Sequence, residues 1–321
     1  MKARQLLALP LLLASLVLVG ACGDESKGSD PAPATGAAGA IKRNPANAST
    51  SITVGSKNFT EQRVLGELFA QALGAAGYKV QTRLDLGNEK RAVSALKRGT
   101  IDAYPEYTGT ALLSLCGVAA RKVPKDPTAA FEDTRACFAK MGFTAFPPTP
   151  FTSSNEVAVT GATARRLKLR NISDLKAHDQ DLILYGTPEC RQRTDCLRGL
   201  RDVYGLHFRR FAGVDPVERH DVLKRRQDAV SIVYTTDPQN KREDIALLED
   251  DKGMFPPYNS TFVARDVTVS KAGPDLPRII ERVQVGLTDE VMQELNARVD
   301  LDEQTPRDVA LGYLRESGLI R

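Results

Sequence analysis

The sequence contains no tryptophan and only three histidines in 321 residues. Those three, His178, His207 and His220, are scattered, and no Cys-x-x-Cys accompanies them, so the spacing of a zinc site is missing. No Gly-x-Ser-x-Gly, His-Glu-x-x-His or phosphate-loop motif occurs either. These absences argue against an enzyme and call for no metal and no cofactor. Charge of one sign is also lacking, since 44 Lys and Arg against 40 Asp and Glu leave +4. The two signs are interspersed without basic–aromatic interleaving, which gives no reason to expect nucleic acid. After the first 22 residues no apolar run reaches the roughly 20 residues that a membrane-spanning helix needs.

What is present begins with an export signal over residues 1–21. Lys2 and Arg4 supply the positive start, residues 6–19 an apolar run broken only by Pro10 and Ser15, and Val19-Gly20-Ala21-Cys22 a small-residue cleavage site. Cys22 at that point resembles the lipobox of bacterial lipoproteins, in which the sulfur is lipidated, so a lipid anchor on the extracytoplasmic face of the cell membrane is expected. Residues 23–50 hold small and polar residues and one large aliphatic, Ile41. Such a composition buries too little apolar surface to offset its ordering entropy, which predicts a flexible linker over 22–50. The remaining four cysteines, Cys116, Cys137, Cys190 and Cys196, suggest two disulfides in an exported chain. The sequence leaves their pairing open; Cys190 and Cys196 are close enough to clip one loop, and Cys116 and Cys137 would then remain.

From residue 52 short β-like segments alternate with helical ones. Residues 52–54 read as a strand, and Val64, Leu65, Leu68, Phe69, Ala72 and Leu73 recur at helical spacing before Gly74 and Gly77. Residues 78–84 are β-like, 92–98 helical and 101–104 β-like. After Pro147, Pro148 and Pro150 the series resumes, with strands expected at 156–160, 182–185 and 229–234 and helices at 196–204 and 217–226. A second boundary falls at Phe255-Pro256-Pro257, and 276–320 is mainly helical. Strand–helix repeats imply an α/β fold with largely parallel sheets. Two proline-marked crossings predict two lobes, 51–152 plus 258–321 and 153–257, the second inserted in the first. A weak internal echo runs through both: a basic helix end, a short turn, then a strand closing on Tyr107-Thr108 or on Tyr234-Thr235. Ligands of open α/β sheets bind beyond the carboxyl ends of strands, which would set both tyrosines in an inter-lobe cleft.

Five motifs, GSKNFTEQ (55–62), DAYPEYTGT (102–110), Arg193-Thr194-Asp195, VYTTD (233–237) and LEDDKGMFPPYN (248–259), resemble, in order, the substrate-binding lipoproteins of osmoprotectant ABC importers. The resemblance covers residue 52 to the C-terminus. It implies the two-lobed type II periplasmic-binding-protein fold, with a mixed sheet in each lobe, and a monomer that hands glycine betaine, choline or a related quaternary amine to permease subunits. It also implies a cage at Tyr107, Tyr234 and Tyr258, with carboxylate anchors at Lys57, Thr110 and Arg193. The chemistry suits a zwitterion. A trimethylammonium group donates no conventional hydrogen bond and is held by aromatic faces, whereas a carboxylate wants the planar fork of Arg or the point charge of Lys.

One departure concerns a fourth cage tyrosine of the family, whose position falls on Asn155, with Ser153 where an acidic residue is expected. Asn155 would face a ligand hydroxyl or N–H, opening the site to a larger or less methylated osmolyte, and Phe151 is the candidate substitute wall. Glu61 and Glu106 either face the cleft and contact a cation or solvate helix N-termini, where a carboxylate is favourable, and the second is the reading preferred. The rival functions are a choline receptor of the same fold and an enzyme acting on a small zwitterion.

Overall fold

A computed structural model describes residues 39–321. The cleavage site, Cys22 and the linker up to residue 38 lie outside the described residues. The chain first lays down β1 (Ser51–Gly55), β2 (Lys79–Arg83), β3 (Ala103–Tyr107) and β4 (Phe143–Ala145). It then forms β5 (Asn155–Thr160), β6 (Ile183–Gly186), β7 (Arg210–Gly213), β8 (Ala229–Tyr234) and β9 (Ile245–Leu248), and returns with β10 (Ser260–Arg265). Two five-stranded sheets result, ordered β2-β1-β3-β10-β4 and β7-β6-β8-β5-β9.

The long helix Thr60–Ala75 shows how the pattern becomes packing. Its Val64, Leu65, Leu68, Phe69, Ala72 and Leu73 are all fully buried, as their helical spacing requires. Each large one contributes about 1.5–3 kcal/mol by leaving water. They pack on β1 and on the C-terminal helices Asp289–Asp300 and Pro306–Glu316. Phe69 meets Phe262 of β10 with ring centroids 4.4 Å apart, so the helix is fixed against the same strand that borders β3.

Each sheet has three parallel neighbours, β2-β1-β3 or β7-β6-β8, and one strand antiparallel to those on either side of it, β10 or β5. That strand is in both cases the first laid down after the chain crosses from the other sheet. Its start therefore meets the end of a parallel strand, Asn155 opposite Tyr234 and Ser260 opposite Tyr107. The crossings run side by side and are stitched together. Thr152 bridges Asn259, Ser153 N donates to Tyr258 O at 3.2 Å, and Asn259 Nδ2 donates to Thr149 O and Phe151 O, both at 3.1 Å.

Three features differ from expectation. The segment expected as a flexible linker is packed over its last ten residues. Ile41, its one large aliphatic residue, is 8% exposed in the main core and donates its N–H to Leu319 O at 2.7 Å. Asn44, just before the turn Pro45–Ser49, donates to Asp275, and Asn47 within that turn donates to Ala76 O. The expected helix 217–226 is broken into a turn, Pro216–Glu218, and a short helix, Asp221–Arg225. Between them Arg219 and His220 are buried, and the Arg219 carbonyl accepts Ser231 Oγ at 2.7 Å, which takes it out of helical bonding. Finally, β4, β7, β9, β10 and the helix Pro127–Ala139 fall in stretches read without regular structure. The cysteines form Cys116–Cys137 and Cys190–Cys196.

Ile41→Ala is expected to lower unfolding free energy by about 2 kcal/mol, measured by urea denaturation. Stability equal to the wild type would mean that residues 41–50 merely rest on the surface.

Candidate functional site

The carboxyl ends of β3 and β8 and the amino ends of β5 and β10 converge on a cavity of about 420 Å³. Lys57, Tyr107, Thr110, Asn155, Arg193, Tyr234 and Tyr258 all lie on its wall. Proximity in the fold thus brings together all seven residues singled out in the sequence.

On one side, β3 delivers Tyr107 and is followed at once by the helical turn Thr108–Thr110. Gly109 is obligatory in that turn. A Cβ there would come within 2.7 Å of Pro257 O and 2.8 Å of Tyr258 Cε1, so the missing side chain is what lets Tyr258 close over the strand end. Lys57, just after β1, places its ammonium 4.5 Å from the Tyr107 ring centroid and 5.9 Å from that of Phe59. The same ammonium is paired with Glu106, which is fully buried and also accepts Tyr107 N at 2.8 Å and Tyr104 OH at 3.1 Å. The Tyr107 phenol turns away from the cavity and donates to Glu61 Oε1 at 2.6 Å, while Asn296 Nδ2 donates to the other Glu61 oxygen at 3.0 Å. Burial raises the Glu61 carboxyl and pushes the Tyr107 phenol well above its ordinary value.

On the other side, the loop clipped by Cys190–Cys196 carries Arg193 and Asp195. Arg193 binds Asp195 through two bonds, Nε to Oδ1 at 2.8 Å and Nη2 to Oδ2 at 2.5 Å. Burial opposes the guanidinium charge, but Asp195 more than restores it. Asp195 is buried too and is held below the ordinary carboxylate range against that burial by Arg193 and Tyr258. Tyr258 OH donates to Asp195, and Asn155 Nδ2 lies 3.3 Å from the same carboxylate and 3.2 Å from the Tyr258 oxygen. Tyr234 has its ring 4.4 Å from the Arg219 guanidinium carbon and 5.4 Å from Phe59. Arg219 is in turn fixed by two bonds to Asp237.

Contacts across the cleft join the two sides. Asn88 Nδ2 donates to Glu189 Oε1 at 2.8 Å, Glu89 lies 3.6 Å from Arg193, and Asn296 Nδ2 donates to Thr236 O at 3.1 Å. Among the described residues no cluster of His, Cys, Asp and Glu is arranged to hold a metal ion, and no helix is long and apolar enough to cross a membrane.

The site corrects two expectations, at Glu106 and at Phe151. Glu61 does lie in the first turn of its helix, but buried under Tyr107 rather than in solvent, whereas Glu106 lies within β3 and contacts a cation, Lys57. Phe151 does not replace the missing wall, since it is fully buried in the main core. The additional aromatic wall is Phe59, which stacks on Tyr107 at 6.2 Å and touches Tyr234. A phenylalanine inside the otherwise polar motif of residues 55–62 was the available signal. Asp195 belongs to the motif Arg193-Thr194-Asp195, whereas Arg219 lies in a basic stretch with nothing to separate it from surface charge.

Two mixed sheets flanked by helices, with a cavity where their strand ends meet, define a type II periplasmic-binding-protein fold. Residues 50–316 match the family described as the substrate binding domain of ABC-type glycine betaine transport systems. The chain belongs to that family. It is 33% identical over 84% of its length to the glycine-betaine-binding protein of Pseudomonas aeruginosa, of which it covers 89%. It is 29% identical over 84% of its length to an ergothioneine transport permease/binding protein of Helicobacter pylori, covering 48% of that longer chain. A solved glycine betaine/carnitine/choline ABC transporter structure superposes with a TM-score of 0.67 at 26% identity, covering 83% of this chain and 98% of the other.

Glu156, beside Asn155, is partly buried, and burial together with nearby Asp250 pushes its carboxyl from 4.5 up to about 7. The folded state then holds a proton that the unfolded chain has already lost, so this residue makes stability fall as pH rises from about 4.5 to about 7. Glu156→Gln is expected to flatten that slope and to be more stable than the wild type at pH 8, by thermal denaturation across the range. Parallel pH profiles for the two proteins would refute it.

Proposed function

We propose that the protein is an extracytoplasmic receptor that captures a betaine-type zwitterion in this cavity and delivers it to an ABC importer. The observation that carries the reading is the joint presentation of aromatic faces (Tyr107, Phe59, Tyr234 and Tyr258) and counter-ion-backed cations in one cavity. Aromatic faces hold a quaternary ammonium at about 0.5–2 kcal/mol each. Lys57, Arg193 and the Thr110 hydroxyl serve the carboxylate. Residues 51–152 with 258–321 act as one lobe and 153–257 as the other, and only their closed arrangement presents both halves of the site to a ligand. The receptor returns its ligand unchanged, so it is no enzyme. It works as a monomer, anchored through lipidated Cys22 on the outer face of the membrane.

A second reading, a longer betaine than glycine betaine, is favoured by the volume. At about 30 Å³ per water, the cavity of about 420 Å³ holds roughly fourteen waters, well beyond the size of glycine betaine. Asn155 adds a polar wall where a ligand N–H or hydroxyl would be received. Carnitine and ergothioneine, after which relatives are named, satisfy both conditions.

Calorimetric titration of the purified protein with glycine betaine, carnitine, ergothioneine, choline and proline separates these readings. Binding of a carboxylated betaine in preference to choline is expected. Tyr234→Ala should weaken it at least about tenfold, and an unchanged Kd would remove Tyr234 from the site. Cys22→Ala should move the protein from the membrane to the soluble fraction of fractionated cells. Persistent membrane association would exclude the lipid anchor.

A further inference from the structure

Both sides of the cavity carry the same three-part arrangement. A tyrosine ends a strand, Tyr107 on β3 and Tyr234 on β8. Its backbone N–H donates to a buried carboxylate, Glu106 Oε1 or Asp237 Oδ2, at 2.8 Å in each case. That carboxylate also pairs with a cation standing over the ring of the same tyrosine, Lys57 at 4.5 Å or Arg219 at 4.4 Å. Each ring thus already has a resident cation, and each cation its own counter-ion.

The two arrangements differ in how firmly the cation is held. Arg219 is locked by two bonds to Asp237 and one to Pro216 O. Lys57 has a single hydrogen-bond acceptor among the described residues, Glu106, and its ammonium is a compact charge on a flexible stem. Phe59 lies on the same ammonium from a second side. The place Lys57 fills is therefore itself a cation site: a buried carboxylate with two aromatic faces beside it.

Resting on the betaine reading above, we propose that Lys57 and Glu106 together form the charge filter of the receptor. With Lys57 in place, a bare cation is repelled from the Tyr107–Phe59 face. A ligand with its own carboxylate is accepted because that carboxylate takes up the remaining ammonium donors. Without Lys57, Glu106 is unmasked, and the same face selects a cation that has no carboxylate. Lys57 thus does more than anchor a carboxylate: it hides a choline-type site that its neighbours would otherwise form.

The test is calorimetric titration of the wild type, Lys57→Met, Lys57→Gln and Lys57→Met/Glu106→Gln with glycine betaine and choline at fixed ionic strength. Loss of an anchor alone would weaken glycine betaine and leave choline unchanged. The filter requires more. Choline affinity should rise about tenfold in Lys57→Met, reversing the order of the two ligands, and the gain should vanish in the double variant. Lys57→Gln keeps a hydrogen bond to Glu106 without the charge and should show the same gain, which covers the case in which the Met variant fails to fold. Choline affinity no higher than wild type in the folded single variants, or a gain that survives Glu106→Gln, would overturn the filter. Wild-type protein that binds glycine betaine while the variants behave in this way sinks only the filter; wild-type protein that binds neither glycine betaine nor the carnitine and ergothioneine of the earlier titration takes the receptor reading down with it.

Discussion

A charge withdrawn from water has to be met by another, because a buried charge left unpaired costs about 3–5 kcal/mol. The cleft is organised by that constraint. Its three lining cations, Lys57, Arg193 and Arg219, are each backed by a buried carboxylate, Glu106, Asp195 or Asp237. These carboxylates have a second task, since each also accepts a hydrogen bond from a tyrosine: the backbone of Tyr107 or Tyr234, or the phenol of Tyr258. Ion pairing and placement of the aromatic walls are therefore one network. Loss of one acid would strand a cation and release a ring in the same step.

The sheets bring the network together by direction rather than by proximity in sequence. Parallel strands end at one edge, which gathers Tyr107 and Tyr234 there. The antiparallel strands begin at the same edge, which adds Asn155 and, just before β10, Tyr258. Glycine at 109 then allows the last approach, of Tyr258 to the Tyr107 turn.

Much of this was legible beforehand. Helical spacing from Val64 to Leu73 and the β-like segments around Val54, Leu184 and Val230 carry the α/β architecture, because burial on one face imposes a period that a sequence displays. The seven wall residues were legible through their motifs. Their counter-ions were not. Nothing in linear order states that Lys57 pairs with Glu106 or that Arg219 pairs with Asp237, since pairing depends on which strand ends meet. The docking of residues 41–50 was hidden for a related reason. Composition averages over a segment, whereas a single Ile41 with two asparagines capping their surroundings suffices to fix ten residues. Phe59 and Phe151 illustrate the limit of residue type: two phenylalanines near motif residues, one on the cavity wall and one sealed in the core.

The paired crossings have a mechanical consequence. Two chain segments laced to each other through Thr152, Ser153, Tyr258 and Asn259 behave as a narrow ribbon, supple in flexion and stiff in torsion and shear. A change of angle between the sheets would have to pass through these two segments, which are the chain's two crossings between them. Asn155 and Tyr258 sit at the ends of that ribbon, whereas Tyr107 belongs to one sheet and Arg193 to a loop of the other. A ligand touching all four would tie both sheets to the crossings that join them.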